Sequence, residues 1–275
     1  MNYKFKDEKG EHLHELDGTP LMGTSTVLSV LAKTLTYWAA GLAVAKFGWT
    51  NPKEVADKEL RMALATDVRD GIKLMNAEEY LALLDEAYKA HATKLKTSAT
   101  AGTDMHAELE SYVKFCMEKN GGKPMGSLLK TIDNGEEMLK DAPADRFAIW
   151  AEENVKKFLI SEGHVFSKTF RLGGIVDCVF EDKQGRICIM DFKSAKEVYM
   201  SHWLQCGGYD IQIAENGFFD KDGNQILKLE RSVDYYAVFP FGAKTPEPQF
   251  NYNLVGLREG FLAALTLYKL QNEQK

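Results

Sequence analysis

The stretch Gly173–Tyr209, GGIVDCVFEDKQGRICIMDFKSAKEVYMSHWLQCGGY, decides the fold. Two runs rich in Ile, Val, Phe, Met and Cys flank the polar break Glu181-Asp182-Lys183-Gln184-Gly185-Arg186, the pattern of a β-hairpin closed by a short Gly-containing turn. A loop of Lys183, Gln184 and Gly185, with Gly185 left-handed, centres the hairpin on Gln184. Counting outward equally from there puts Asp177 opposite Asp191, with Cβ atoms roughly 5 Å apart. Lys193 projects from the same face as Asp191, while Phe192 points to the other. Val179, Ile187 and Ile189 share the carboxylates' face, so the two charges are poorly solvated and need compensation. A hard divalent cation, Mg²⁺ or Mn²⁺, supplies it. An Asp-Asp-Lys cluster that needs no metal is the other reading, and the hairpin alone leaves both open.

Beyond the hairpin, Ser201 is placed to cap a helix that ends at Asn216-Gly217. Gln205 and Tyr209, four residues apart, share one of its faces. Gly207-Gly208 between them costs about 1 kcal/mol each relative to Ala in a helix, which points to a backbone approaching closely. Packing on the sheet and a passing nucleic-acid strand both answer that description. Upstream, in Gly102-Thr103-Asp104-Met105-His106-Ala107-Glu108-Leu109-Glu110, Thr103 is placed to cap a helix with His106, Leu109, Tyr112, Val113 and Cys116 along one face. A lone histidine on such a face is ordinarily structural.

Taken together, Asp177, Asp191-Phe192-Lys193, Gln205 with Tyr209, and the Gly102-to-His106 segment resemble, in order and spacing, the PD-(D/E)XK nuclease superfamily in its RecB-type branch. Val176 stands where the family name has Pro, at a position that is not a ligand. The resemblance implies a restriction-endonuclease-like core and metal-dependent hydrolysis of DNA phosphodiester bonds. It implies that His106, Asp177, Asp191 and the main-chain carbonyl of Phe192 hold Mg²⁺ or Mn²⁺. Lys193 then orients or deprotonates water, and Gln205 and Tyr209 position the strand. Gly23 to Trp38 resembles the Ser/Thr-rich opening and Trp helix of phage-type members. The implied activity is that of an exonuclease on DNA ends, single-stranded or duplex, in phage-type replication or recombination. A structure-specific or nicking endonuclease is the first rival, and a catalytically idle DNA-binding or assembly subunit the second.

The rest of the chain sets the frame. The 275 residues are 45% hydrophobic and 27% charged, with a formal charge of -6, values of a globular protein that does not coat nucleic acid wholesale but can bind a phosphate chain locally. The first residues lack the apolar core of a signal peptide, and Tyr37 to Ala45 is too short to span a bilayer, so the expectation is a cytoplasmic protein with no membrane partner. Cys116, Cys178, Cys188 and Cys206 contain no CxxC pair, which argues against a disulfide framework, a zinc site or the iron-sulfur cluster of some RecB-type relatives.

Tyr3 to Leu16 reads as a small hairpin around Glu8-Lys9-Gly10. Helices are expected after Thr24-Ser25-Thr26, whose hydroxyls would cap, from about Tyr37 to Phe47, within Pro52 to Met75, and from Ala77 to about Lys96. In the last of these Tyr80, Leu83, Leu84, Ala87 and Tyr88 form a core stripe. Gly121 to Asp141 reads as a mobile crossing. Asp145 to Glu162 reads as an amphipathic helix ended by Gly163, from which Glu152 or Glu153 could approach the metal, although a solvated helix face explains both more cheaply. Strands follow at Val165 to Leu172, in the hairpin and at Asp234 to Pro240, and a helix at Leu254 to Gln271 closes the chain. His12, His14, His91, His164 and His202 remain unassigned. The expectation is one α/β domain over 1–275: a small mixed sheet of about four strands flanked by helices in 144–275, and a mainly helical N-terminal part in 1–143.

Overall fold

The computed structural model describes residues 3–8, 11–31, 36–126 and 143–272. It is mixed α/β. In chain order the elements are β1 (Tyr3–Glu8), β2 (Glu11–Leu16), β3 (Thr19–Pro20), β4 (Met22–Gly23), the short helix α1 (Thr24–Val27) with a 3-10 turn at Leu28–Leu31, and α2 (Thr36–Ala45). Next come α3 (Lys58–Lys73), α4 (Ala77–Lys119), α5 (Pro143–Asn154), β5 (Val155–Ser167), β6 (Leu172–Asp182), β7 (Ile187–Lys193) and α6 (Met200–Asn216). The chain closes with β8 (Phe218–Phe219), β9 (Gln225–Leu227), β10 (Tyr235–Pro240), β11 (Gln249–Asn251) and α7 (Leu254–Asn272). These elements divide into two compact units, Met1–Ala32 with Gly102–Lys275, and Lys33–Ala101.

In the larger unit the main sheet runs β11-β10-β7-β6-β5-β8-β9, with β4 beside β6. The four long strands expected of the core are there, and short edge strands widen the sheet to eight. Strands β5, β6 and β7 are antiparallel and β10 is parallel to β7, so the sheet is mixed. The hairpin register follows the sequence: Cys178 faces Met190 and Val179 faces Ile189, which makes Asp177 and Asp191 the next pair. Gly185 takes φ +81° in the turn, and Asp182 closes it by accepting from the Gln184 and Arg186 amides.

Helices cover both faces. Cys178, Phe180, Cys188, Met190 and Phe192 pack under Leu109, Tyr112 and Val113 of α4 and Phe147 and Ala151 of α5. Val179, Ile187 and Ile189 pack under α6 and α7 through Trp203, Leu204, Cys206, Leu257 and Phe261. All four cysteines are buried free thiols. Helices α6 and α7 meet at the glycine pair: a Cβ on Gly207 would lie 2.7 Å from the Leu257 carbonyl oxygen, and one on Gly208 2.6 Å from the Phe261 ring. The close approach is thus to a second helix, neither to the sheet nor to a passing strand. A separate sheet, β1-β2-β3, rests on Phe166 and Phe219 through Tyr3 and Leu16.

Three expectations are corrected here. The helix expected at Asp145 to Glu162 stops at Asn154, and the first core strand starts at Val155 rather than Val165. Val155 and Phe158 continue the helical spacing of Phe147, Trp150 and Ala151, but they lie buried on one face of a strand whose register shifts between Val155 and Lys157, and that bulge is what imitates the period. Thr103 begins no helix, because α4 runs unbroken from Ala77 to Lys119. Finally, Gly23 is the N-cap residue of α1 and no hydroxyl caps it; Thr24 instead donates to the Gly173 carbonyl and accepts from Gln212.

In the smaller unit, Asp57 caps α3 through the Glu59 and Leu60 amides, and Asn76 caps α4 through those of Glu78 and Glu79. The stripe expected to be core there is largely exposed, including Tyr80, Leu84 and Tyr88, with Ala87 buried. An apolar period marks a helix face without ensuring that the chain covers it. The crossing expected at Gly121 to Asp141 falls for the most part outside the described residues. No helix among the described residues is long and apolar enough to cross a membrane.

Candidate active site

Strand register builds the site. Ser161 pairs with Cys178 and Gly163 with Val176, so Glu162 of β5 stands opposite Asp177 of β6, just as Asp191 of β7 does on the other side. Three carboxylates therefore lie in a row across three adjacent strands. Glu162 has φ +53°, a left-handed conformation that is uncommon for a non-glycine residue and recurs at functional positions. Sequence reasoning missed Glu162 because the segment reads as helix; taken as a strand opposite Asp177, it would have been found by register alone.

Flanking elements complete the constellation. His106 of α4 places its Nε2 3.2 Å from Asp177 Oδ2, and its ring meets Phe192 edge to face at 5.8 Å. The Phe192 amide donates to Asp177 Oδ2 at 2.6 Å, which ties β6 to β7 at the level of the site. Lys193 Nζ is 2.6 Å from Asp191 Oδ2. Gln205 Nε2 donates to the Tyr209 hydroxyl at 2.7 Å. A cavity of about 580 Å³ opens here, lined among others by His12, His106, Glu162, Asp177, Gln205 and Tyr209. The structure thus brings together every side chain singled out in the sequence and adds Glu162. Glu110, one helical turn beyond His106, joins His106 and Glu162 in a group whose potential ligand atoms all lie within 4.8 Å of one another. Glu152 and Glu153 stay exposed on α5, as their reading as a solvated face requires.

Charge in this site is strained by burial. Glu162 is pushed up to about 8 by burial, with the negative charges of Asp177 and Glu110 adding to it. Asp191 is pushed up to about 7, first by burial and then by Asp177, with Lys193 opposing. Burial would raise Asp177 too, but the hydrogen bond and charge of His106, with Lys193 and the Phe192 amide, hold it below the usual carboxylate range. For His106, burial pulls down while Asp177 and the neighbouring acids pull up, and the result is about 9.

The donor set fits a hard divalent cation. Asp191 Oδ1 and Glu162 Oε1 are buried and accept no hydrogen bond from any described residue, an arrangement that costs free energy unless something positive arrives. Three carboxylates and one imidazole suit Mg²⁺ and, through the imidazole, Mn²⁺. No protein-family model matches the chain, and no curated protein matches it.

Proposed function

We propose that this chain is a divalent-metal-dependent deoxyribonuclease of the PD-(D/E)XK superfamily, RecB-type branch, acting as an exonuclease on DNA ends in phage-type replication or recombination. The observation that carries the reading is the row Glu162, Asp177, Asp191 across β5, β6 and β7, with His106 against Asp177 and Lys193 against Asp191. The antiparallel β5-β6-β7 set with parallel β10, helix-covered on both faces, supports the matching reading of the sheet as a restriction-endonuclease-like core.

Glu162, Asp177, Asp191, His106 and the Phe192 carbonyl would hold Mg²⁺ or Mn²⁺. Such an ion supplies positive charge at the phosphate and lowers the pKa of water. The remaining work falls to the chain. Although burial disfavours its charge, Lys193 is held protonated by Asp191 and Asp177, so it serves as a fixed ammonium that orients water and offsets charge developing on the phosphate. Gln205, fixed by its bond to Tyr209, presents a preorganised amide to the strand.

End-labelled linear DNA and closed circular single-stranded DNA, incubated with Mg²⁺, Mn²⁺ or chelator, test the proposal. The expected result is metal-dependent loss of the linear substrate with the circle intact, because an exonuclease needs an end. Cutting of the circle would transfer the activity to an endonuclease, and inertness toward both would favour an idle DNA-binding subunit.

A further inference from the structure

Strand β6 has an open edge beside the acids. On one side β5 accompanies it throughout, while on the other β4 pairs with it at Leu172 and Gly173 and β7 from Cys178 to Glu181. Between these two partners, from Gly174 to Asp177, no described strand pairs with that edge. The cavity lies along this gap, with Gly173, Gly174, Asp177, Thr24, Gln205 and Tyr209 among its lining. Side chains rather than a strand ladder therefore hold α6 over it. Thr24, which follows β4 directly and is 1% exposed, donates its hydroxyl to the Gly173 carbonyl at 3.1 Å and accepts from Gln212 Nε2 at 2.7 Å. Gln212 belongs to α6, where it neighbours Tyr209 at i, i+3, and its Nε2 also reaches the Gly208 carbonyl at 2.9 Å. Gly174 makes room for the meeting: a Cβ there would lie 2.7 Å from the Tyr209 ring and 2.8 Å from Thr24 Oγ1. One hydroxyl thus ties the helix that carries Gln205 and Tyr209 to the strand that carries Asp177. This tie is not the cheapest way to fill the space. Gln212 is fully buried and its Oε1 accepts no hydrogen bond from any described residue, a cost that a leucine packed against a valine would avoid.

We infer that Thr24 and Gln212 are positioning residues, whose hydroxyl-amide tie sets where Gln205 and Tyr209 stand relative to Asp177 and so aligns the DNA strand with the metal. The inference rests on the proposed nuclease function and adds two residues to it. Both act through others, since neither belongs to the proposed ligand set and Gln212 is wholly buried. A small shift of α6 leaves that set intact, because its members stand on α4, β5, β6 and β7. The same shift slows the reaction, because catalysis depends on the phosphate and the attacking water being held in line. A tie that only stabilises the fold has a different signature: the protein unfolds more easily, and the folded fraction works at the parent rate.

The test is a double-mutant cycle on the full chain. Single-turnover cleavage of end-labelled linear DNA, at saturating Mn²⁺ and well below the unfolding temperature, is measured for the parent, Thr24→Val, Gln212→Leu and the double variant, with Thr24→Ser as the conservative control. Thr24→Val keeps the shape and removes the hydroxyl, and Gln212→Leu removes the other half of the tie. Each is expected to slow cleavage about 10- to 100-fold, and the double variant to be no slower than the slower single, because both break the same contact. Thr24→Ser should stay within about threefold of the parent. Calorimetric Mn²⁺ affinity should stay within about twofold throughout, and the double variant, an apolar pair in place of a polar one, should unfold near the parent temperature. Parent rates in Thr24→Val and Gln212→Leu, or losses that multiply in the double variant, overturn the positioning role while the nuclease reading stands. Loss of Mn²⁺ affinity alongside the rate overturns it too, since the tie would then be shaping the ligands instead of the strand. A parent protein that shows no metal-dependent cleavage overturns both readings.

Discussion

At the scale of single residues, three acids that the fold forces together carry the proposed chemistry. Asp191 has a buried oxygen without a donor and Glu162 has another, so removing any one of the three acids should cost the protein metal affinity. Asp177→Asn, Asp191→Asn and Glu162→Gln are each expected to keep the fold, lose at least roughly tenfold in Mn²⁺ affinity by calorimetry and lose cleavage by about 10²-fold or more. His106→Ala should weaken Mn²⁺ less, because the carboxylates remain, and Glu152→Gln, on the exposed face of α5, should change nothing. Unchanged Mn²⁺ affinity in all three acid variants would return the row to a structural charge cluster. Lys193→Ala makes the opposite test. It removes a cation and no ligand, so Mn²⁺ should bind at least as tightly while single-turnover cleavage falls about 10²-fold or more. Joint loss of binding and cleavage would show that Lys193 supports the fold rather than the chemistry.

Elements carry two further expectations. A Cβ at Gly207 meets the backbone of α7 and one at Gly208 meets the buried Phe261 ring, neither of which can move aside cheaply. Although Ala gains about 1 kcal/mol in helix propensity, Gly207→Ala should destabilise the protein by about 1–3 kcal/mol through overpacking, and urea unfolding measures it. A stabilised variant would contradict the close α6–α7 approach. The β1-β2-β3 sheet introduces a pH dependence. His14 is lowered to about 3 by burial and by the charges of His164 and His12; His164 is lowered to about 4 by burial and His12, with Asp220 opposing. The Tyr3 hydroxyl bonds His14 Nδ1 at 2.7 Å. Both rings are neutral in the native protein and take up protons near pH 6.5 when unfolded, so their contribution is full above about pH 6.5 and is lost as the pH falls toward 4. Each histidine contributes a slope of about 1.4 kcal/mol per pH unit in that window. The difference in urea midpoint between pH 7 and pH 5 should shrink in His14→Gln; an unchanged difference would remove His14 from the balance.

For the whole molecule, what the sequence made legible was local. The Gly185 turn fixed the hairpin register, and with it the Asp177–Asp191 pairing and the side from which Lys193 projects. The i, i+4 spacing placed Gln205 with Tyr209. Contacts that depend on distant partners were not legible. Val155 and Phe158 continue the helical spacing of Phe147, Trp150 and Ala151, and the bulge that puts them on one face of a strand is set by pairing with β6, which no local pattern records; Glu162 was lost with them. The glycine pair announced a close approach without saying that α7 made it. Tyr80, Leu84 and Tyr88 announced an apolar face without saying that it stays exposed. The central claim, that the row of acids is a metal-dependent hydrolytic centre, is tested most directly by the single-turnover rate at which the Mn²⁺-loaded protein hydrolyses end-labelled linear DNA, measured beside Asp191→Asn. Hydrolysis that chelator abolishes and that Asp191→Asn reduces by about 10²-fold or more is expected; hydrolysis indifferent to chelator and to Asp191, or none at all, would return the row to a structural charge cluster.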